Sequence, residues 1–362
     1  MKGKGVFLVH NIHLRPSDDP EQQLIQRVLS TYTMEPSWEA ERGSGGMNNS
    51  TYIVKMNGER YVLRQYETHN DQAKIRFEHE VLLTLGRSNF AIKVPSPVEI
   101  KADEHARTYL PIQDSTGKHK IVTLFRYCAG SNPVWNTPEQ LFEFGRAAGA
   151  LSLAMSKLDI LLQPAYPPYY QIQDAYPLCT PHKLMQLCQT PPPELHTCAD
   201  DMRDLGRVLP ALFEALNGME QLPHQLVHGD LNASNVLTNE QGQISAILDF
   251  EFATWDLRVM ELAVPMSDLL TQDQDEEWVW LALEAMIQGF CENVTLQPTE
   301  REAIPQLILL RSLDVVMHFL SRMFEGTDEP AVAVQQIQKL KERADWMALH
   351  EGRLRELLVQ AI

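Results

Sequence analysis

Apolar residues fall at Leu24, Ile25, Val28 and Leu29, the spacing of one helical face. That spacing predicts a helix from about Pro20 to Thr31, with Asp18 or Asp19 as its cap and Pro20 in its first turn. The period then changes from helical to alternating. Thr51 to Met56 and Glu59 to Tyr66 are rich in β-branched and aromatic residues and are joined by Asn57-Gly58. Asn-Gly supplies the two positive φ angles of a type I′ turn, so a tight antiparallel hairpin is expected. A helix returns from about Asp71 to Leu85, followed by Pro95, Pro97 and two strand candidates, Val98 to Lys101 and Lys120 to Arg126. The β character stops between Tyr127 and Asn132, and Thr137, Pro138 and Gln140 form a capping-box start to a mostly helical remainder. Gln163 to Pro193 carries many prolines and predicts a long connection, a flap on the substrate side. From Glu276 to Ile362 three or so amphipathic helices are expected. The pattern therefore predicts an α+β chain in two lobes, a β-rich one over residues 1–127 and a helical one over 128–362.

Composition changes this picture little. The 362 residues are 44% hydrophobic and 22% charged, enough for two cores. A net charge of −17 argues against a nucleic-acid backbone or an anionic membrane as the main partner. The early apolar run Gly5 to Val9 is too short for a secretory leader, and no uninterrupted apolar stretch reaches the roughly 18 residues of a membrane span. Five scattered cysteines fit reduced thiols, so a cytoplasmic location is expected. Cys179, His182, Cys188, His196 and Cys198 lie close in sequence, but their spacing suits loop and packing roles better than a zinc site.

The chemistry concentrates in one segment. An apolar run enters His228-Gly229-Asp230, Asn235 follows five residues later, and a turn at Glu240 to Gly242 returns the chain through Ile244 to Leu248 onto Asp249. Phosphoryl transfer from ATP requires one carboxylate to take or orient a hydroxyl proton. It also requires an amide oxygen and a second carboxylate to hold Mg2+ against the phosphate oxygens. Asp230, Asn235 and Asp249 are those three groups, carried on one hairpin.

His228, Asp230, Asn235 and Asp249 at this spacing resemble the aminoglycoside phosphotransferase/choline kinase superfamily, relatives of protein kinases. The resemblance implies a two-lobed protein-kinase-like fold with ATP and Mg2+ in the cleft. It makes Asp230 the catalytic base, Asn235 and Asp249 the magnesium ligands, and His228 a brace for the loop. The first lobe agrees with it. Arg64, in the second hairpin strand, stands where protein kinases carry a phosphate-binding lysine. Its partner is expected to be Glu78, which shares a face with Ile75, Leu82 and Leu85, whereas Glu80 lies about 200° away. Gly45, Gly46 and Asn48 form a glycine-rich loop short of the protein-kinase pattern, and Phe125 to Tyr127 resemble a hinge that binds adenine.

Beyond Asp249, the residues Phe250, Glu251, Asp256, Arg258 and Glu261 resemble bacterial homoserine-kinase-like members more closely than choline kinases. The expected acceptor is therefore homoserine or a similar amino alcohol, with choline or ethanolamine and an aminoglycoside as alternatives. Arg258 is the candidate cation for its carboxylate, and Glu251 or Asp256 the acid for its ammonium. A rival of another class is a non-catalytic kinase-like nucleotide-binding module, motivated by Arg64 in place of lysine and by the missing glycines.

Overall fold

Alternating and helical patterning sort into two compact units, Met1–Gly86 with Val94–Cys128, and Arg87–Lys93 with Ala129–Ile362. The structure, a computed structural model, describes residues 20–32, 38–43, 49–67, 71–101, 106–113, 117–270 and 275–360. Gly45, Gly46 and Asn48 of the glycine-rich loop lie outside the described residues.

The first unit holds α1 (Pro20–Tyr32), β1 (Trp38–Arg42), β2 (Asn49–Met56), β3 (Glu59–Tyr66), α2 (Gln72–Arg87), β4 (Tyr109–Gln113) and β5 (His119–Arg126). The strands form one antiparallel sheet in the order β1-β2-β3-β5-β4. The hairpin forms as its turn residues require, with Asn57 at φ 54° and Gly58 at φ 77° between paired Met56 and Glu59. Ile25, Val28, Leu29 and Tyr32 of α1 pack against Tyr52, Val54, Leu63 and Leu124 of the sheet. One expectation needs correcting here. Val98 to Lys101 is not a strand; it is held by the amides of Val98 and Ile100 donating to Leu124 O and Arg107 O, each at 2.8 Å. The strand lies instead at β4, masked in the sequence by Pro111, a residue that an edge strand tolerates.

In the second unit, α3 (Pro138–Met155) begins at the capping box of Thr137 and Gln140. The proline-rich connection is more ordered than expected. It contains a 3-10 turn at Tyr169–Gln171, α4 (Ile172–Ala175) and α5 (Pro181–Gln189), and then leads into α6 (Ala199–Ala215). Two small sheets follow. β6 (His224–Val227) pairs with β9 (Thr254–Leu257), and β7 (Val236–Thr238) pairs with β8 (Ile244–Ile247), both antiparallel. The helices α7 (Met260–Leu269), α8 (Glu276–Cys291), α9 (Pro298–Phe324) and α10 (Pro330–Gln360) complete the unit. Among the described residues α9 alone is long and apolar enough to cross a membrane, and 61% of its most apolar window is buried in protein. Helices α3 and α8 approach so closely that a Cβ on Gly145 or Gly289 would lie 2.1 or 2.0 Å from a backbone oxygen of the facing helix.

Candidate active site

β6 delivers the chain into His228, Gly229 and Asp230. Gly229 has φ 82°, and a Cβ there would sit 2.4 Å from Phe252 O, so this turn admits only glycine. His228 is fully buried and fastens the turn on three sides. Its backbone amide donates to Glu261 Oε1 of α7. The Asp230 amide donates to its Nδ1 at 3.1 Å, so the proton sits on Nε2, which donates to Leu248 O at 2.8 Å. Burial pushes the imidazole pKa down to about 4, which keeps it neutral in this bracing role.

Asn235 closes the circuit. Its Nδ2 donates to Asp230 O at 2.8 Å and to Asp230 Oδ2 at 3.1 Å, while its own carbonyl accepts from Leu248 N at 2.7 Å. The last bond fixes Asp249 next to Asn235. Asp249 takes the left-handed conformation at φ 63° and ψ 64°, uncommon for a non-glycine residue and typical of side chains aimed for function. Burial raises the Asp230 pKa to about 6, against the pull of Arg311 and with Asp249 adding to the rise. At neutral pH it is a carboxylate able to accept a proton.

The donor set suits a hard divalent cation. Asn235 turns its nitrogen toward Asp230 and leaves its amide oxygen available, with the Ser234 hydroxyl no nearer than 3.5 Å. Asp249 offers a carboxylate beside it. Among the described residues no group of three or more His, Cys, Asp or Glu side chains has metal-site geometry. Two oxygen ligands completed by phosphate and water are the arrangement Mg2+ favours. Cys179, Cys188 and Cys198 are buried free thiols, whereas His182 and His196 are exposed.

In the first unit, Arg64 Nη1 meets Glu78 Oε1 at 3.0 Å, and the Tyr66 hydroxyl donates to Glu78 Oε2 at 2.8 Å. Glu78 is thus the inward glutamate that its helical face requires. Phe125 is buried with the Arg64 guanidinium 5.1 Å from its ring centroid, so its side chain supports the cation from within. The Tyr127 amide donates to Arg60 O at 3.2 Å and its ring lies under the Arg60 guanidinium, which commits the expected hinge donor inside the sheet.

The side chains expected to meet the acceptor have partners inside the protein. Arg258 forks onto both oxygens of buried Glu300, with Nε at 3.0 Å and Nη2 at 2.5 Å, and ties β9 to the start of α9. Asp256 is fully buried and accepts the amides of Tyr169 at 2.7 Å and Leu257 at 2.6 Å, so it anchors backbone. Glu251 is buried within the electrostatic reach of Arg322. The sequence reading missed the side chains that do reach Asp230. Arg311 of α9 donates Nη2 to Asp230 Oδ1 and Nη1 to the Tyr169 hydroxyl at 3.0 Å, and that hydroxyl donates to Gly229 O at 2.5 Å. A signal was present: an arginine inside a strongly apolar helix needs a buried partner. A surface cavity of about 720 Å3, lined by Arg301, Glu302 and Arg355 among others, shares no lining residue with this site.

Known proteins place these features in a family. The profile described as the phosphotransferase enzyme family (APH) matches residues 39–287. A homoserine kinase of Gluconacetobacter diazotrophicus is 24% identical over 317 residues, covering 87% of this chain and 90% of its own. Among solved structures, a microcompartment-associated aminopropanol kinase superposes with TM-score 0.64 at 16% identity, over 92% of this chain and 98% of its own. An amicoumacin kinase in complex with AMP-PNP and Ca2+ gives TM-score 0.63 at 15% identity, over 89% and 93%.

Proposed function

From the premise that this chain belongs to the phosphotransferase enzyme family and is a small-molecule kinase, we propose that it transfers the γ-phosphoryl group of ATP to the hydroxyl of an amino alcohol, homoserine first. The observation that carries the reading is the circuit in which Asn235 bonds Asp230 Oδ2 at 3.1 Å and Leu248 bonds Asn235 O at 2.7 Å. It holds a base and two oxygen ligands on one rigid hairpin.

In this mechanism the acceptor oxygen attacks the γ-phosphorus, the bond to the β-phosphate oxygen breaks, and the hydroxyl proton passes to Asp230. Asn235 and Asp249 would hold Mg2+, which when bound offsets charge on the phosphate oxygens. Asp230 orients the hydroxyl, and Arg311 and Asn235 keep its carboxylate from rotating. Arg64, anchored by Glu78, is the candidate cation for the α- and β-phosphates. The choice of homoserine follows the activity named for the Gluconacetobacter relative. A cytoplasmic enzyme acting on a free small molecule is in keeping with the net charge of −17.

A coupled assay with homoserine, choline and kanamycin on one preparation tests the proposal. Homoserine is expected to give the highest kcat/KM. If choline or kanamycin exceeds it by more than about tenfold, roughly 1.4 kcal/mol of transition-state binding, homoserine is the wrong acceptor.

A further inference from the structure

α9 is apolar along most of its length, yet Arg311, Asp314, His318 and Arg322 recur at i, i+3, i+7 and i+11 along one face. Two of these are already committed. Arg322 forks onto Asp328 with Nε at 2.5 Å and Nη2 at 2.8 Å, and His318 packs edge-on against the Tyr176 ring. The other two stand beside the base. Arg311 touches Asp230 directly, while Asp314 accepts from the Tyr176 hydroxyl at 2.7 Å. They face each other at 3.6 Å, too long for a hydrogen bond, and each side chain keeps 17% of its surface exposed.

Resting on the amino-alcohol kinase reading, we propose that Arg311 and Asp314 form the zwitterion site of the acceptor. Arg311 takes the carboxylate and Asp314 the ammonium of an α-amino acid whose side-chain hydroxyl reaches Asp230. The geometry matches the ligand. An amino acid carries both charges on one carbon, and residues one helical turn apart present opposite charges side by side. A zwitterion seated along this pair replaces one loose ion contact with two charge-assisted ones. Arg311 has five N–H donors in a planar fork, so one edge holds the base while another holds the acceptor. The hydroxyl of homoserine, two carbons beyond its Cα, then lies toward the carboxylate that Arg311 itself orients. Arg258, the cation first suggested by the sequence, is committed to Glu300.

The test compares homoserine with its decarboxylated analogue aminopropanol and its deaminated analogue hydroxybutanoate, as substrates or as inhibitors. In the wild type homoserine is expected to be preferred over both. Asp314→Asn should weaken the two ammonium-bearing compounds at least about thirtyfold, mainly in KM, and hydroxybutanoate less than about threefold. Tyr176→Phe, which removes only a hydroxyl bonded to Asp314, should show the same pattern at about fivefold. Arg311→Lys lowers turnover of every acceptor through Asp230, so its readout is the homoserine-to-aminopropanol ratio, expected to fall at least about tenfold. Equal losses for all three compounds in Asp314→Asn and Tyr176→Phe overturn the assignment and make the pair scaffolding. A wild type that prefers aminopropanol overturns the carboxylate half while the kinase reading stands. ATP turnover with none of the three defeats the amino-alcohol reading itself.

Discussion

Asp230 illustrates how much a single side chain depends on its neighbours. Each of its oxygens is held by a different segment, Oδ1 by Arg311 and Oδ2 by Asn235. Asp230→Asn preserves the shape of the group and removes only its basicity. Turnover should fall at least about a hundredfold while nucleotide binding, followed by calorimetry, is retained. Undiminished turnover would remove Asp230 from the role of base. Gly229 is the reverse case, where chemistry is untouched and space decides. Gly229→Ala places a Cβ 2.4 Å from Phe252 O in a backbone region hostile to alanine. It is expected to destabilise the protein by about 2 kcal/mol or more, read as an earlier urea midpoint. Both residues were legible in the sequence, because His-Gly-Asp with a distant Asn and Asp is a local pattern. Arg311 was not, since its partner lies 81 positions earlier and only the folded chain joins them.

Elements act here by locking one another. The link between β3 and α2 is the Arg64–Glu78 pair, with Glu78 3% exposed. Arg64→Ala and Glu78→Ala should each raise KM for ATP, and the double variant should be little worse than either, because one interaction is broken in both. Fully additive effects would show that Glu78 does not act through Arg64. Helix α7 locks the His228–Asp230 turn through Glu261, whose pKa burial raises to about 8 from 4.5. The folded protein therefore holds a proton that the unfolded chain releases above about pH 4.5. That stabilisation is complete at acid pH and is lost as pH rises toward 8. Glu261→Gln keeps the acceptor oxygen without titrating, so its melting temperature should decline less between pH 5.5 and 8 than that of the wild type. An unchanged slope would mean Glu261 is already ionised in the fold. The Arg64–Glu78 link was legible because the family resemblance singled out Arg64 and helical periodicity then chose Glu78 over Glu80. β1 was not, because only Ala40 is fully buried, Trp38 is half-buried and the charged Glu39, Glu41 and Arg42 are exposed. β4 was hidden by Pro111, and the short helices of the connection by their prolines.

For the whole molecule, the boundary the sequence drew at residue 127 left out one detail. The stretch Arg87–Lys93 belongs to the second unit, although Val94–Cys128 returns to the first. Lys93 lies beside β8, donating its amide to Ser245 O at 3.2 Å and accepting from Ile247 N at 2.9 Å. Nothing in the local sequence announces a seven-residue loan of this kind. Lys93→Pro deletes the donated hydrogen bond, and amide exchange at Ile247 should then quicken by about fivefold, roughly 1 kcal/mol of lost protection. Unaltered exchange would show that β8 does not rely on this bond. During synthesis on the ribosome the same arrangement sets an order of events. Lys93 emerges roughly 150 residues before Ser245, a wait on the order of ten seconds at ordinary elongation rates. For that interval the chain has a nearly finished first unit with a strip of backbone whose hydrogen-bonding partner has not yet been translated. Until residues 244–247 leave the ribosome, that strip is open to pairing with another nascent chain.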